Sequence, residues 1–287
     1  MQAIRDGSEG LYLKTLYVSD LDGTLLTPDQ RVTPHSARII NELIDKGLLF
    51  SLNTARSIMG AGILNLRDIH FTIPLILMNG ALFYDITTGR IADWWDIPGE
   101  TVDRLLALCL EHGKAPMVYR VKDRENMDVT FTNPTCPWEW DFIKSRSAQY
   151  PHCFRQLEDY DRAKPAIYLT MQDTYACLHA LSREVEKLPD VSYVLYEDNY
   201  HTDNWYLEIF SVKGGKGNGL KHLQELVGAD RTVAFGDNFN DLPMLEMADV
   251  ALVMGNGQPE VQKVAHQVIG SNTEDGVAEY LRVYGEW

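Results

Sequence analysis

Two blocks of the chain alternate short apolar strands with helices, and a long segment of different character separates them. Residues 15–81 give a strand, helix, strand order, and residues 210–287 return to that order after a glycine-rich stretch. Alternation of this kind is typical of an α/β fold with a parallel sheet. Because both blocks share the pattern, we expect them to form one discontinuous core, in which residues 74–78 are a third parallel strand preceded by a helical stretch.

The intervening residues 82–209 predict a separate α+β unit. They open with a hairpin around Thr87-Thr88-Gly89 and continue with strands and helices in mixed order, and we expect an irregular stretch around Pro134 and Pro137. Five of the six tryptophans lie inside this segment. The sequence therefore predicts an inserted cap domain, while residues 1–14 are interpreted as an N-terminal tail.

Composition excludes several classes of partner. The 287 residues carry a formal net charge of -15, which disfavours nucleic acid or an anionic membrane as a partner. A small phosphate ester stays compatible, since a bound divalent cation can invert the local field. The four cysteines show no paired spacing, and no apolar run reaches the roughly 20 residues of a membrane span. We expect a reduced, cytoplasmic protein, and the sequence does not define its oligomeric state.

The strongest motif is Asp20-Leu21-Asp22-Gly23-Thr24-Leu25, which follows an apolar strand. In open parallel sheets, ligands bind beyond the carboxyl ends of the strands, so both carboxylates are expected at a binding crevice. A calcium-binding EF-hand loop is excluded, because its sixth and twelfth positions would be Leu25 and Arg31 instead of glycine and a bidentate acid. A plain Asp-Gly turn remains the alternative.

Three further motifs follow in order along the chain: Asn53-Thr54-Ala55-Arg56, Gly214-Gly215-Lys216-Gly217, and Gly236-Asp237-Asn238-Phe239-Asn240-Asp241. Together with the first, they resemble the four motifs of the haloacid dehalogenase superfamily, with Ala55 in place of a common glycine. Each has a simpler interpretation. Lys216 suits a solvated glycine linker, Thr54 a strand-end turn, and Asp241 a helix N-cap.

The resemblance implies a Rossmann-like parallel-sheet core and a role for each matched residue. Asp20 would be the nucleophile that forms an aspartyl-phosphate, and Asp22 the general acid and base. The cofactor would be Mg²⁺, with Asp20, the backbone carbonyl of Asp22 and Asp237 as ligands and Asp241 behind them. Phosphate would be bound by the following residues: Leu21 and Ala55 through backbone N–H groups, Thr54, Lys216 and Asn240. The expected edge of the site comprises Asn79, Gly80 and Arg56, and Arg56 would pair either with phosphate or with a nearby carboxylate.

The position and pattern of the insertion resemble the large cap of the Cof-type (class IIB) branch. This resemblance implies hydrolysis of small phosphate monoesters, such as sugar phosphates or phosphorylated cofactors. A phosphomutase or phosphotransferase would use the same nucleophile. A dehalogenase has no use for Asp22 or Asp237. A non-catalytic phosphometabolite-binding protein would be expected to lack at least one of the residues Asp20, Asp22, Lys216 and Asp237, and all four are present. We also expect an ordinary φ at Ala55, because a positive φ would penalise alanine.

Overall fold

The computed structural model describes residues 13–60, 66, 68–198 and 201–286. Its first elements are β1 (Thr15–Ser19), α1 (Pro34–Ile44) and β2 (Leu49–Leu52). The Thr33 side chain accepts the backbone N–H of Ser36 and so caps α1. These elements match the predicted strand, helix, strand order.

β3 (Leu75–Leu77) pairs with the hairpin that follows it. With β4 (Leu82–Asp85) and β5 (Arg90–Trp94) it forms a three-stranded antiparallel sheet. A single parallel bridge, between Asn53 and Ile76, links it to the end of β2. The predicted strand is present and buried, but the expected parallel pairing is wrong beyond this bridge, because residues 78–81 reverse the chain.

The hairpin packs on the core. Phe83 and Trp95 belong to the same apolar cluster as Leu16, Ile76 and Leu220. The proposed start of the cap at residue 82 therefore falls in a hairpin whose side chains contact core elements, and that limit stays a prediction.

Two expectations fall on parts of the chain outside the described residues. Residues 1–12 of the proposed tail are not described, and neither are 61–65 and 67 of the expected helical stretch before β3. The described residues 55–60 form turns and bends, so no helix begins there.

The inserted segment forms a six-stranded sheet with three helices. Its elements are α2 (Gly99–Glu111), β6 (Met117–Val121), β7 (Met127–Phe131), α3 (Pro137–Gln149), β8 (Phe154–Gln156), β9 (Tyr168–Asp173), α4 (Tyr175–Val185), β10 (Val191–Glu197) and β11 (Trp205–Ser211). The strand order is β10-β11-β9-β6-β7-β8, and all neighbours are antiparallel except β7 and β8. Residues of α2 and α4 pack on one face of this sheet. The α+β prediction holds for this segment.

The prediction of an irregular stretch around Pro134 and Pro137 is partly wrong. The chain forms β7 just before it, and α3 begins at Pro137. Proline is well tolerated in the first turn of a helix, where its missing N–H costs nothing. The side chain of Glu139 accepts the N–H of Cys136 at this helix start, so the proline opens the helix.

The last block completes the core. Its elements are α5 (Lys216–Val227), β12 (Arg231–Gly236), α6 (Leu242–Met247), β13 (Val250–Met254), α7 (Pro259–Gln262), β14 (Gln267–Ile269) and α8 (Gly276–Tyr284). The core sheet has the order β14-β13-β12-β1-β2 with all strands parallel. Along β1, Tyr17 packs in the cluster that contains α1 and α8, while Leu16 and Val18 pack with α5 and α6. Both faces are covered, as parallel sheets require. No helix of the described residues is long and apolar enough to cross a bilayer.

Candidate active site

The carboxyl ends of three neighbouring strands bring the predicted motifs together. Asp20 follows β1, Thr54 follows β2 and Asp237 follows β12. The backbone N–H of Asp20 donates to the carbonyl of Phe235 at 2.9 Å, which ties the first motif to the end of β12. Residues more than 200 positions apart thus share one edge of the sheet, where ligands of parallel α/β folds bind.

Lys216 lies at the centre of this edge. Its Nζ contacts Asp20 Oδ1 at 2.5 Å and Asp241 Oδ1 at 2.6 Å, and all three side chains are buried. Lys216 is also the first residue of α5. A cation at a helix N-terminus opposes the helix dipole, so the two carboxylates stabilise it. Asn240, expected to fix Lys216 or phosphate, lies half-buried in the short helix Phe239–Asp241, and in the described structure Asp241 binds the lysine instead.

Asp241 uses both carboxylate oxygens to organise the fourth motif. Its Oδ2 accepts the backbone N–H groups of Asp237 and Asn238 at 3.0 and 3.1 Å. Asp237 is oriented separately, because Thr24 Oγ1 donates to its Oδ1 at 2.7 Å. Both oxygens of Asp241 are therefore engaged, one by Lys216 and the other by two backbone N–H groups.

The cluster suits a hard divalent cation. One carboxylate oxygen from each of Asp20, Asp237 and Asp241 lies within 4.8 Å of the others. Magnesium prefers oxygen ligands and is usually held by one or two carboxylates and several waters. Asp20 and Asp237 fit this description as direct ligands.

The charges of the cluster also favour binding of a cation, because three carboxylates face one ammonium group. Burial and the neighbouring Asp241 raise the pKa of Asp20 well above its usual range, and Lys216 offsets this only in part. Burial and Asp241 also raise the pKa of Asp237 to about 6. Burial lowers the pKa of Lys216, but Asp20 and Asp241 together raise it above its usual value. The cluster thus has excess negative charge that a cation would neutralise.

Gly23 allows the close approach between the first and fourth motifs. Its φ is +86°, and a Cβ at this position would lie 2.5 Å from Asp237 Oδ2. An L side chain would therefore be strained in the backbone and would collide with the carboxylate. The glycine of the first motif is required by the geometry of the site.

Asp22 faces Arg56 in this structure. Arg56 Nε and Nη2 donate to the two Asp22 carboxylate oxygens at 2.8 and 2.5 Å, a bidentate ion pair. The sequence left open whether Arg56 pairs with phosphate or with a carboxylate, and here it pairs with Asp22. The Asp22 side chain is 34% exposed, so it lies at the mouth of the site.

The second motif is ordered by its own hydrogen bonds. Thr54 is buried, and its Oγ1 accepts the backbone N–H of Arg56 at 3.2 Å. Ala55 is not among the described residues with positive φ, which confirms the expected ordinary backbone at this substitution. Leu21 buries its side chain completely, so only its backbone can serve the site.

Two residues of the site were missed although they stand inside the motifs. Thr24 orients Asp237, as described above, and Asn53 donates from Nδ2 to the carbonyl of Lys216 at 2.7 Å. Both are adjacent to residues that the sequence analysis singled out, so position within the motif was the available signal. A cavity of about 520 Å³ lies beside this edge, and Asp22, Gly23 and Asp237 are among the residues that line it.

The predicted edge residues lie against the start of α5. The backbone N–H of Gly215 donates to the Asn79 carbonyl at 2.6 Å, and a Cβ at Gly80 would lie 2.4 Å from the Gly215 carbonyl oxygen. Asn79 and Gly80 therefore support the segment that carries Lys216.

Comparison with known proteins decides the family. The model of the haloacid dehalogenase-like hydrolases matches residues 17–281, nearly the whole chain. The chain belongs to this family. A haloacid dehalogenase-like hydrolase from Bacteroides thetaiotaomicron has the same fold, with a TM-score of 0.74 and 21% identity, covering 94% of this chain and 100% of that one. The subclass IIB sugar phosphatase BT4131 matches with a TM-score of 0.72 and 21% identity over 95% and 99% of the two chains.

Curated relatives in sequence carry phosphatase names. The 5-amino-6-(5-phospho-D-ribitylamino)uracil phosphatase YitU of Bacillus subtilis is 27% identical over 94% of this chain and 97% of its own length. The pyridoxal phosphate phosphatase YbhA of Escherichia coli is 26% identical over 91% and 95%. The predicted haloacid dehalogenase fold, its Cof-type cap and the predicted enzyme class, a phosphatase, are confirmed by these comparisons.

Proposed function

We propose that this enzyme is a Mg²⁺-dependent phosphatase that hydrolyses small phosphate monoesters through an aspartyl-phosphate on Asp20. The observation that carries the proposal is the buried cluster in which Asp20 contacts Lys216 next to Asp237. A carboxylate that attacks a phosphate dianion must overcome charge repulsion, and this cluster offers one fixed cation and oxygen ligands for a second. Sugar phosphates and phosphorylated cofactors are the proposed substrates, in line with the names of the relatives.

In the first step a carboxylate oxygen of Asp20 attacks phosphorus, and the bond between phosphorus and the leaving oxygen breaks. Lys216 and the Thr54 hydroxyl bind the phosphoryl oxygens, on which charge is concentrated. Backbone N–H groups of Leu21 and Ala55 contribute further donors at the same place. When bound between Asp20, Asp237 and the Asp22 carbonyl, Mg²⁺ would supply charge neutralisation that favours attack.

Asp22 moves the protons in both steps. Its carboxyl group donates a proton to the leaving oxygen in the first step. In the second, its carboxylate removes a proton from the water that attacks phosphorus, and Asp20 is released. Arg56 holds both Asp22 oxygens in the resting site, so it sets where this side chain starts. The inserted domain would close over the mouth and exclude bulk water during transfer.

Phosphate release from a panel of esters tests the proposal. The panel contains sugar phosphates, nucleotides, and flavin and pyridoxal phosphates, each assayed with Mg²⁺ and with chelator. We expect Mg²⁺-dependent turnover, and a loss on the order of 10⁴-fold or more in kcat for Asp20→Asn. Asp128→Asn is a matched control, since Asp128 is also a buried, ion-paired aspartate but lies on β7 of the cap. Transfer of the phosphoryl group to a second substrate without net phosphate release would identify a phosphotransferase instead.

Two further expectations remain part of the proposal. The protein is expected to act in the cytoplasm on small molecules, without nucleic-acid or membrane partners, in keeping with its net charge of -15. A fractionation experiment with an antibody to the native chain checks the location.

A further inference from the structure

A buried glutamate in the cap, Glu208, has no role in the reaction steps described so far. It lies on β11, where Leu207 and Ile209 on either side pack with α2 and α4. Because side chains alternate along a strand, Glu208 points to the opposite face of the sheet. Its side chain is buried, and such a carboxyl group requires hydrogen-bond donors to compensate for lost water.

The partners of Glu208 are neutral donors from three different segments. Asn79 Nδ2 donates to Glu208 Oε2 at 2.9 Å and also contacts the hydroxyl oxygen of Tyr168 at 2.8 Å. The hydroxyl groups of Tyr168 and Tyr196 complete the set around the carboxyl group. Tyr168 and Tyr196 belong to the cap sheet, whereas Asn79 belongs to the turn after β3. The network therefore connects the cap to the core.

Asn79 is at a point of backbone strain next to the phosphate-binding segments. Three consecutive residues have left-handed φ values, which are +53° at Met78, +51° at Asn79 and +81° at Gly80. Such values are uncommon for residues other than glycine and persist only where the surroundings hold them. Two hydrogen bonds fix the Asn79 side chain from the cap side, so Glu208 and Tyr168 are part of what holds this turn.

The backbone of Asn79 connects the two segments that bind phosphate in the proposed mechanism. Its N–H donates to the Thr54 carbonyl at 3.1 Å, and its carbonyl accepts the N–H of Gly215 at 2.6 Å. Gly215 directly precedes Lys216. A shift of the Asn79 turn would therefore displace Thr54 and Lys216 relative to Asp20.

We propose that Glu208 is a positioning residue of the cap, which through Asn79 aligns the Thr54 loop and the Lys216 helix start for phosphoryl transfer. The inference rests on the proposed phosphatase function. Glu208 touches neither substrate nor metal in this mechanism. It makes the alignment of the site depend on the docking of the cap sheet, so the site is assembled when the network is closed.

Steady-state kinetics on the best ester of the panel test this role. The variants are Glu208→Ala, Glu208→Gln, Tyr168→Phe, Asn79→Ala and the double variant Glu208→Ala/Asn79→Ala, with melting temperatures recorded for each. Misalignment of a reacting group by about 1 Å can cost roughly 100-fold, so we expect kcat of Glu208→Ala to fall by about that factor. Glu208→Gln keeps a carbonyl acceptor for Asn79 and is expected to recover most of the lost kcat.

The double variant distinguishes positioning from general destabilisation. If Glu208 acts through Asn79, the double variant is no slower than Asn79→Ala alone. Glu139→Gln is the matched control, because Glu139 is a buried cap glutamate that binds the backbone N–H groups of Thr135 and Gln172. This control is expected to lower the melting temperature and to leave kcat unchanged. Equal kcat for wild type and Glu208→Ala, or additive losses in the double variant, would overturn the proposal.

A binding measurement separates this proposal from the function on which it rests. Titration calorimetry with inorganic phosphate and Mg²⁺ is expected to show binding that Glu208→Ala weakens by about 10-fold, since supporting residues commonly contribute that much. If the wild type hydrolyses an ester and the Glu208 variants keep its kcat and its phosphate affinity, only the positioning role is rejected. Phosphate binding that depends on Glu208, without turnover of any ester, rejects the phosphatase proposal alone.

Discussion

Two buried acidic groups of this enzyme are stabilised in different ways. At the end of the core sheet, Asp20 and Asp241 are held by a full opposite charge on Lys216. In the cap sheet, Glu208 accepts hydrogen bonds from the neutral donors Asn79, Tyr168 and Tyr196, and the charge of Lys216 acts on it from farther away. The core cluster has three carboxylates beside one ammonium group, whereas the cap carboxyl group is surrounded mainly by neutral donors. The core cluster thus has the oxygen ligands of a cation site, whereas the Glu208 network joins the cap sheet to the turn after β3.

The pKa values reflect this contrast. Burial, followed by the neighbouring carboxylate Asp241, raises the pKa of Asp20 and Asp237. At Glu208 burial raises the pKa to about 7, although the surrounding hydroxyl and amide donors and the charge of Lys216 lower it.

Lys216→Met is expected to have the largest effect, because it leaves Asp20 and Asp241 buried without a counter-charge. We expect the free energy of unfolding to fall by about 3–5 kcal/mol, together with loss of phosphate release. Urea denaturation measures the first quantity. Lys114→Met is the control, since Lys114 forms a buried ion pair with Asp173 in the cap. It is expected to lose stability and keep the activity, and a fully stable Lys216→Met would contradict the role assigned to the lysine.

The pH dependence of stability isolates Glu208. Its pKa is raised from 4.5 to about 7 in the folded state. Between these values the folded state holds a proton that the unfolded state has lost, so stability falls as pH rises through this window. Relative to Glu208→Gln, wild type should lose roughly 3 kcal/mol between pH 4.5 and 7. Hydrogen bonds from Ser271 lower the pKa of Glu274. The stability of wild type relative to Glu274→Gln should therefore rise with pH, in a window at lower pH. If the difference in stability between wild type and Glu208→Gln did not change with pH, the pKa of Glu208 would not be raised in the folded state.

Magnesium should stabilise the core cluster. A ligand that binds only the folded state at about 100 times its Kd adds about 2.7 kcal/mol, so the melting temperature should rise with Mg²⁺ concentration. Differential scanning fluorimetry checks this without any substrate. Asp237→Asn should abolish the rise, whereas Asp128→Asn, in the cap, should retain it. An equal rise in both variants would place the cation elsewhere.

Thr24→Val is expected to have the smallest effect on the core cluster. It removes the hydroxyl that orients Asp237, and supports of this kind contribute about 10-fold to metal affinity. Thr232→Val is matched to it, because Thr232 donates to Asp249 in an equivalent pair away from the site. Both variants should lose about 1 kcal/mol of stability. Only Thr24→Val should weaken Mg²⁺ binding in a calorimetric titration.

The core could be predicted from sequence because local patterns determine it. Strands that end in Asp20, Thr54 and Asp237 place these residues at one sheet edge once the strands are known to be parallel. The pairing of β3 could not be predicted in this way, since an apolar strand looks the same in parallel and antiparallel sheets. α3 was missed because Pro137 signals both a loop and a helix start.

The missed contacts of the site depend on partners that are distant in sequence. Glu208 is 129 positions from Asn79, and a single glutamate in an aromatic strand gives no sign of being buried. Arg56 is 34 positions from Asp22, and the sequence allowed either a phosphate or a carboxylate as its partner. In both cases the residue type was visible, and only the three-dimensional arrangement selected the partner.

The order of strands in the core also has a consequence for synthesis of the protein. β1 lies between β2 and β12, and Thr15 pairs with Arg231 across the whole inserted segment. At a translation rate of about 5–20 residues per second, β1 waits roughly 10–40 seconds for this partner. During that time the complete cap leaves the ribosome and can fold, while one edge of β1 stays open to pairing with other chains. The core sheet therefore stays incomplete beside β1 until the residues that follow the insertion have been synthesised.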